Sequence, residues 1–301
     1  MVSVVITAYN VGEYLEKSIK SAIQEGVKEI TVVIDQPTDN SLEVAQKVQG
    51  EYPDLVKIIK NQKNVGPGLS RRYGIEASSG EYVLLLDGDD YLDENYVKPL
   101  LDRAIETNAD VVSSGIKIIN EDGSWKAESY GNCTTLGNDK ISRFWGERIV
   151  FINNKLVRRS LYEKVPYSHR RYIEDTPTII PILWYANKVE YVDMLGYNYV
   201  MRNSSLTHTT NPLKDVIYKG LCWLDLMEFF TKNDQTVFSA LDIKGYIRNI
   251  INILNRLTNL TPAMVELYKE DWVEFTLRMT NLLAVNAIDF KQVNNEDSNT
   301  R

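Results

Sequence analysis

The sequence runs to 301 residues, 44% hydrophobic and 25% charged, with a formal net charge of -7. That length supports one large domain, or a domain with a substantial appendage, around a real core. The acidic balance excludes a nucleic-acid-binding surface, which needs concentrated Lys and Arg, but not phosphate ligands reached through a metal or local arginines. No apolar run approaches the length of a membrane span, and Met1-Val2-Ser3 leads directly into a strand, so no signal peptide and a cytoplasmic location are expected. Cys133 and Cys222 show no metal spacing and read as reduced structural residues.

Residues 2–8 form a β-branched run that predicts a buried strand. Asn10 stands where it can cap a helix, with Glu13 completing a capping box, and Leu15, Ile19, Ala22 and Ile23 give that helix one apolar face. Residues 30–34 make a second strand ending at Asp35, and Leu42, Ala45 and Val48 mark a second helix after the turn at Pro37 and Asn40. A third strand spans 56–59, and Gly66-Pro67-Gly68 opens a third helix with Leu69, Tyr73 and Ala77 inward. The alternation predicts an α/β fold, a Rossmann-like and mostly parallel sheet with helices on both faces.

The fourth strand, from Tyr82, ends in Asp87-Gly88-Asp89-Asp90. A short aliphatic run reads as a strand buried on both faces, and its carboxyl end is where ligands bind in an open α/β sheet. Three aspartates in four positions repel one another unless a cation or a ring of donors offsets them. Hard oxygen ligands suit Mg2+ or Mn2+ carrying nucleotide phosphates; an acidic surface turn is the plainer alternative. An EF-hand loop is rejected, because Tyr91 and Leu92 replace a ligand and the turn glycine, and Lys98 replaces the closing glutamate.

Farther on, a helix over 95–105 despite Pro99 and a strand over 110–119 are expected, then a hairpin or loop over 120–138. Short helices over 153–164 and 176–186 and a strand over 189–201, broken at Gly196, complete this region. From Pro212 the apolar spacing is helical to about residue 291, and the polar tail 292–301 is expected to be disordered.

The opening Ser3-Val4-Val5-Ile6-Thr7-Ala8-Tyr9-Asn10 resembles the first strand of the family 2 glycosyltransferases, which have the GT-A fold. Four further blocks follow in the family's order: Asp35 with Thr38-Asp39-Asn40-Ser41, Asn64-Val65-Gly66 with Ser70-Arg71, Asp87-Gly88-Asp89-Asp90, and Glu174-Asp175. The resemblance implies an inverting, metal-dependent transfer of a sugar from a nucleoside diphosphate, with UDP the expected carrier, to a hydroxyl of a glycan, lipid-linked or other acceptor. It implies a catalytic domain over 1–211, divided into a donor half at 1–110 and an acceptor half at 111–211, with a helical region at 212–291 outside the resemblance. Surface polysaccharide or other glycan assembly is the expected setting.

The same resemblance assigns roles. Ala8, Tyr9, Asp35, Asp87, Arg71 and Arg202 are expected to hold the nucleotide and its diphosphate, and Asp89 with Asp87 a divalent Mn2+ or Mg2+ ion, His208 closing its coordination. Asp175 is expected to be the general base, with Glu174 and Arg171 binding the acceptor. By sequence alone Asp175 before Thr176-Pro177 is equally an ordinary helix cap, and the basic loop His169-Arg170-Arg171 a solvated cluster. Around Asp35 the chain departs from the family pattern, with Ile34, Gln36 and Pro37 where a second acid, Gly and Ser are usual. That leaves room for a degenerate, non-catalytic binding protein. A nucleotidyltransferase is the other alternative, but Tyr9-Asn10-Val11 offers no glycine-rich basic loop after the first strand. The helices after Pro212 pack a core, pair two chains, or rest on a membrane surface, where the protein would be peripheral.

Overall fold

The computed structural model describes residues 1–129, 133–136, 151–170, 172–202, 212–233, 266 and 268–285. Two compact units divide the chain, Met1–Ser205 and Leu206–Arg301.

The first unit begins with β1 (Val2–Ala8), α1 (Gly12–Ser21), β2 (Val27–Ile34), α2 (Ser41–Glu51), β3 (Val56–Lys60), α3 (Pro67–Glu76) and β4 (Tyr82–Asp87). These strands pair in parallel in the order β3-β2-β1-β4. Alternate residues of β1 and β4 face α1 and α4 (Val97–Thr107), where Val4, Ile6, Leu84 and Leu86 meet Leu15, Ile19, Val97 and Leu100 with no exposed surface to speak of. The opposite face carries α3. Both strands are buried between helix layers, although the second face of β1 mixes Ser3 and Thr7 with Val5. The mixed α/β sheet flanked by helices agrees with the fold class expected from the sequence.

The second half of the sheet is mixed. The short β5 (Tyr91–Leu92), β6 (Val111–Ile119), β7 (Trp125–Glu128) and β8 (Cys133–Leu136) precede β9 (Lys155–Arg158), α5 (Arg159–Tyr162), α6 (Thr176–Tyr185) and β10 (Lys188–Val200). Of the hairpin or loop expected over 120–138, the first part turns β6 back into β7, while β8 pairs with β10 instead. β10 runs parallel to β6 with a register shift between Val192 and Tyr197, at the expected break. There the ring of Tyr96 lies against Gly196, so closely that a Cβ would stand 2.4 Å from it. The helix expected over 153–164 is a correction: its first part is β9, wedged antiparallel between β4 and β6, and only α5 is helical. Lys155 and Arg158 hide an apolar strand of only four residues from a hydrophobicity reading.

The capping box is also corrected. Asn10 has φ +53°, and its Oδ1 accepts the Thr38 N–H at 2.8 Å, so no side chain caps α1 from that position. Instead Ser41 Oγ accepts the Val11 N–H and Asp39 Oδ2 the Gly12 N–H, both from the neighbouring loop. The start of α1 is thus fastened to the loop after β2 and to the first residue of α2, where Asp39 also accepts from Ser41.

In the second unit, α7 (Pro212–Asn233) and α8 (Lys269–Val285) pack against one another. Gly220 admits the ring of Phe275, Tyr218 donates to Asp271 at 2.6 Å, and Arg278 pairs with Asp225 and Glu228. Among the described residues no helix is long and apolar enough to cross a membrane.

Candidate active site

The carboxyl ends of β1, β2 and β4 adjoin. Thr7 pairs with Asp87 in register, Ala8 pairs with Ile34, and the Asp35 N–H donates to Ala8 O at 2.9 Å. Tyr9 stands at the mouth with 45% of its surface exposed, free of the core. Asn10 and Gln36, each just past a strand end, both adopt left-handed φ, +53° and +55°. Non-glycine residues held there cost on the order of 1–3 kcal/mol each, and such positions cluster at ligand sites.

Asp35 is buried, and its carboxylate accepts Asn61 Nδ2 at 2.8 Å and the Val65 and Gly66 N–H groups at 2.9 Å each. In this structure the side chain expected to meet a base braces the loop that opens α3, where Gly66 takes φ +85°. That bracing has no sequence signature, because it is made to backbone groups thirty residues away.

Arg71 projects from α3 into the centre of the site with a side chain only 7% exposed. Its Nη2 donates to both oxygens of Asp87, at 3.0 and 3.3 Å, and its Nη1 donates to Glu174 Oε1 at 2.8 Å and Asp175 Oδ1 at 2.5 Å. A forked guanidinium is suited to this, since its planar array of N–H donors spans acceptors on two sides in a fixed geometry that a compact ammonium does not reproduce. Three carboxylates around one cation leave an excess of negative charge in a shielded place. Burial, then the charge of Asp175, pushes Glu174 up to about 8 against the pull of Arg71. Burial also raises Asp175, with Arg71 opposing, but that carboxylate further accepts from Glu174 and from the Ile152 N–H. The two raised carboxylates therefore hold a proton between them, with Arg71 and the Ile152 N–H favouring charge on Asp175. Although Asp175 precedes α6, its side chain makes no cap hydrogen bond. It is turned toward Arg71 and does not cap the helix. A cavity of about 10 Å3 lies against Arg71, Tyr162, Glu174 and Asp175, room for about one water.

The acidic loop resolves its own repulsion by sending three side chains to three places. Asp87 takes Arg71, Thr7 Oγ1 at 3.2 Å and Asn153 Nδ2 at 2.7 Å. Asp89 forms a close ion pair with Arg202, whose guanidinium lies 5.1 Å over the Tyr14 ring. Burial and the nearby Asp87 raise Asp89, with Arg202 opposing. Asp90 is 2% exposed and accepts Tyr197 Oη–H at 2.6 Å and the Val200 N–H at 2.8 Å. Burial, then Asp89 and Asp87, hold it well above the usual carboxylate range. Beside Asp89 opens a pocket of about 190 Å3 lined by Tyr14, Lys17, Asp90, Tyr91, Ile119 and Val200.

Among the described residues no group of three or more His, Cys, Asp or Glu side chains is gathered for a metal ion. His208 and Arg171, expected to complete the metal and acceptor sites, lie outside the described residues. Of the basic loop, His169 is exposed and Arg170 buried, so it is not a uniformly solvated cluster. Asn153, Ile152, Tyr162 and Tyr197 join the site without any sequence signal; all act through strands or turns whose place in the sheet periodicity does not encode.

Residues 3–166 match the family model described as glycosyl transferase family 2, which takes in β1, Asp35, Arg71 and the acidic loop and stops short of Glu174. Glycosyltransferase GlyG of Streptococcus pneumoniae serotype 4 is 24% identical over 84% of this chain and 86% of its own. A cholesterol galactosyltransferase of Borreliella burgdorferi is 29% identical over 77% of this chain and 68% of its own. Among solved structures, S. aureus TarS 1-349 in complex with UDP-GlcNAc superposes with a TM-score of 0.63 at 20% identity, covering 91% of this chain and 79% of that one. At that identity the likeness carries the fold.

Proposed function

This chain belongs to glycosyltransferase family 2 and is a glycosyltransferase, a premise from which we propose an inverting transfer of sugar from a UDP-linked donor to an acceptor hydroxyl in glycan or polysaccharide synthesis. The observation that carries the reading is Arg71, which ties the donor-side Asp87 to Asp175 on the acceptor side. In a single displacement the acceptor oxygen attacks the anomeric carbon, its proton passes to Asp175, and the bond to the diphosphate oxygen breaks with inversion. Asp175 is suited to act as the base, being shielded, and both oriented and stabilised in its charged form by Arg71 and the Ile152 N–H. Glu174 orients that base and the acceptor. Tyr9 and the ends of β1 and β2 receive the nucleotide base, with Asp35 shaping the floor through residues 61–66. Arg202, paired with Asp89 in this structure, is placed to exchange that carboxylate for a diphosphate.

The donor chemistry of the acidic loop fits a divalent ion, since Asp89 and Asp87 offer hard oxygens and carry more charge than their arginines offset. Two carboxylates are a small set, as is usual where substrate phosphates complete the coordination. Mn2+ or Mg2+ held there would neutralise charge on the departing diphosphate. A UDP-GlcNAc complex of TarS, a fold relative, supports the uridine donor.

The test pairs two variants. Asp89→Ala and Asp175→Asn should each abolish transfer, while only Asp89→Ala weakens Mn2+-dependent UDP binding by calorimetry. Wild-type transfer by Asp175→Asn would remove the base assignment, and metal-independent UDP binding would remove the metal.

A further inference from the structure

Lys155 is a lysine with no exposed surface, set on β9 inside the sheet. Its Nζ donates to Phe151 O in a short hydrogen bond and to Asn154 Oδ1 at 2.7 Å. Asn154 is fixed in turn, exchanging bonds with Ser114 on β6: its Nδ2 donates to Ser114 O at 2.5 Å and its C=O accepts the Ser114 N–H at 3.1 Å. The turn so held, residues 151–154, reaches both working carboxylates. Ile152 sends its N–H to Asp175, and Asn153 sends Nδ2 to Asp87 at 2.7 Å.

We propose that Lys155 is a positioning residue: from within the sheet it holds the turn at 151–154 in the one shape that fixes Asp175 relative to Asp87. This rests on the reading of Asp175 as the base. A buried ammonium is costly, and the chain keeps one where a Met of similar volume would pack at less cost. What the charge supplies is a donor to a backbone carbonyl and to Asn154, so the turn cannot relax, and a positive field on Asp175 beside that of Arg71. The field of Asp175 reaches Nζ, and Asp175 is itself tied through Arg71 to Glu174 and Asp87. The flanking strands contribute Ser113 on β6, opposite Lys155, and only apolar side chains from Val83 to Leu86 on β4. Burial pulls the ammonium down to about 7, and Asp175 draws it back up.

Two measurements on the full chain test this. Lys155→Met should lower kcat by roughly 10- to 100-fold, the scale of an ångström-size misplacement of a base, with the UDP dissociation constant within about twofold of wild type. Unchanged kcat, or kcat and UDP affinity falling together, would overturn it. The second needs no Lys155 variant. In protein carrying 13Cε-lysine, one lysine should titrate near 7. Asp175→Asn, by removing the charge that favours the ammonium, should move that titration lower. Lysines that all titrate near the ordinary value of about 10.4, or a low-titrating lysine indifferent to Asp175→Asn, would overturn the proposal. Because this readout needs no turnover, its outcome is independent of whether Asp175 is the base.

Discussion

Asp87 and Asp175 accept hydrogen bonds from opposite nitrogens of Arg71, so the carboxylate at the end of β4 and the one before α6 share a single cation. The geometry makes the two halves of the first unit interdependent at the site. A substitution on either carboxylate unbalances the other.

Arg71→Lys therefore should not preserve function. An ammonium does not span the three carboxylates as the guanidinium fork does, and leaves at least one of these part-buried groups without its cation. We expect transfer to fall by more than about 100-fold, and stability by about 3–5 kcal/mol, the scale for breaking a buried ion pair. Urea denaturation and a transfer assay measure both. The double variant Arg71→Lys, Asp175→Asn should recover part of the stability and none of the activity. Near wild-type stability in the single variant would show the shared cation to be dispensable.

Asp90 belongs to a different category from its neighbours. It is buried against Tyr197 and the Val200 N–H, and burial with its acidic neighbours disfavours its charge. Asp90→Asn keeps an acceptor for these partners and should leave Mn2+ and UDP affinity within about twofold, whereas Tyr197→Phe should cost about 1–3 kcal/mol by orphaning a buried acceptor. Calorimetry and denaturation distinguish the two. Loss of metal-dependent binding in Asp90→Asn would make it a ligand.

Much of this is legible in the chain, for identifiable reasons. β1 and β4 announce themselves because buried parallel strands need continuous aliphatic runs, and the acids at the end of β4 mark its ligand-facing tip. β9 reads as a helix because its buried face includes a lysine, which hydropathy counts as surface. The destinations of Asp90 and Asp35 are invisible in sequence, since their partners, Tyr197 and the amides of Val65 and Gly66, meet them only once the sheet has formed. Glu174-Asp175 is recognisable as a motif, but sequence does not choose between cap and site. In the folded chain the side chain turns toward Arg71 and does not cap the helix.

The proton on Glu174 gives a pH signature. Its pKa rises from 4.5 to about 8, so the folded state holds more protons than the unfolded chain between those values. Its contribution to stability is complete below the unfolded value and is lost as pH rises through the folded one. Glu174→Gln has no such loss. Its stability relative to wild type should increase from pH 5 to pH 9 by on the order of a few kcal/mol, shared with the coupled Asp175. The same substitution should flatten the alkaline side of the wild-type rate profile near pH 8. A stability difference that stays constant with pH would place the proton elsewhere.

Arg202 and a divalent ion compete for one carboxylate. Arg202 sits on Asp89 and lowers a pKa that burial and Asp87 raise. Arg202→Gln removes the competitor and the favourable field together, and pH separates the two effects. At pH 8 Mn2+ alone should bind about tenfold more tightly, the scale of one charge-assisted hydrogen bond. As pH falls that gain should shrink, because without the arginine Asp89 takes up its proton at higher pH. UDP affinity should move the other way at every pH, since the diphosphate loses a cation. Calorimetric titrations of Mn2+ and of UDP across this range give the two opposed trends. If the variant bound Mn2+ no better than wild type at pH 8, Asp89 would be held by Arg202 as a structural pair and not kept in reserve for a metal.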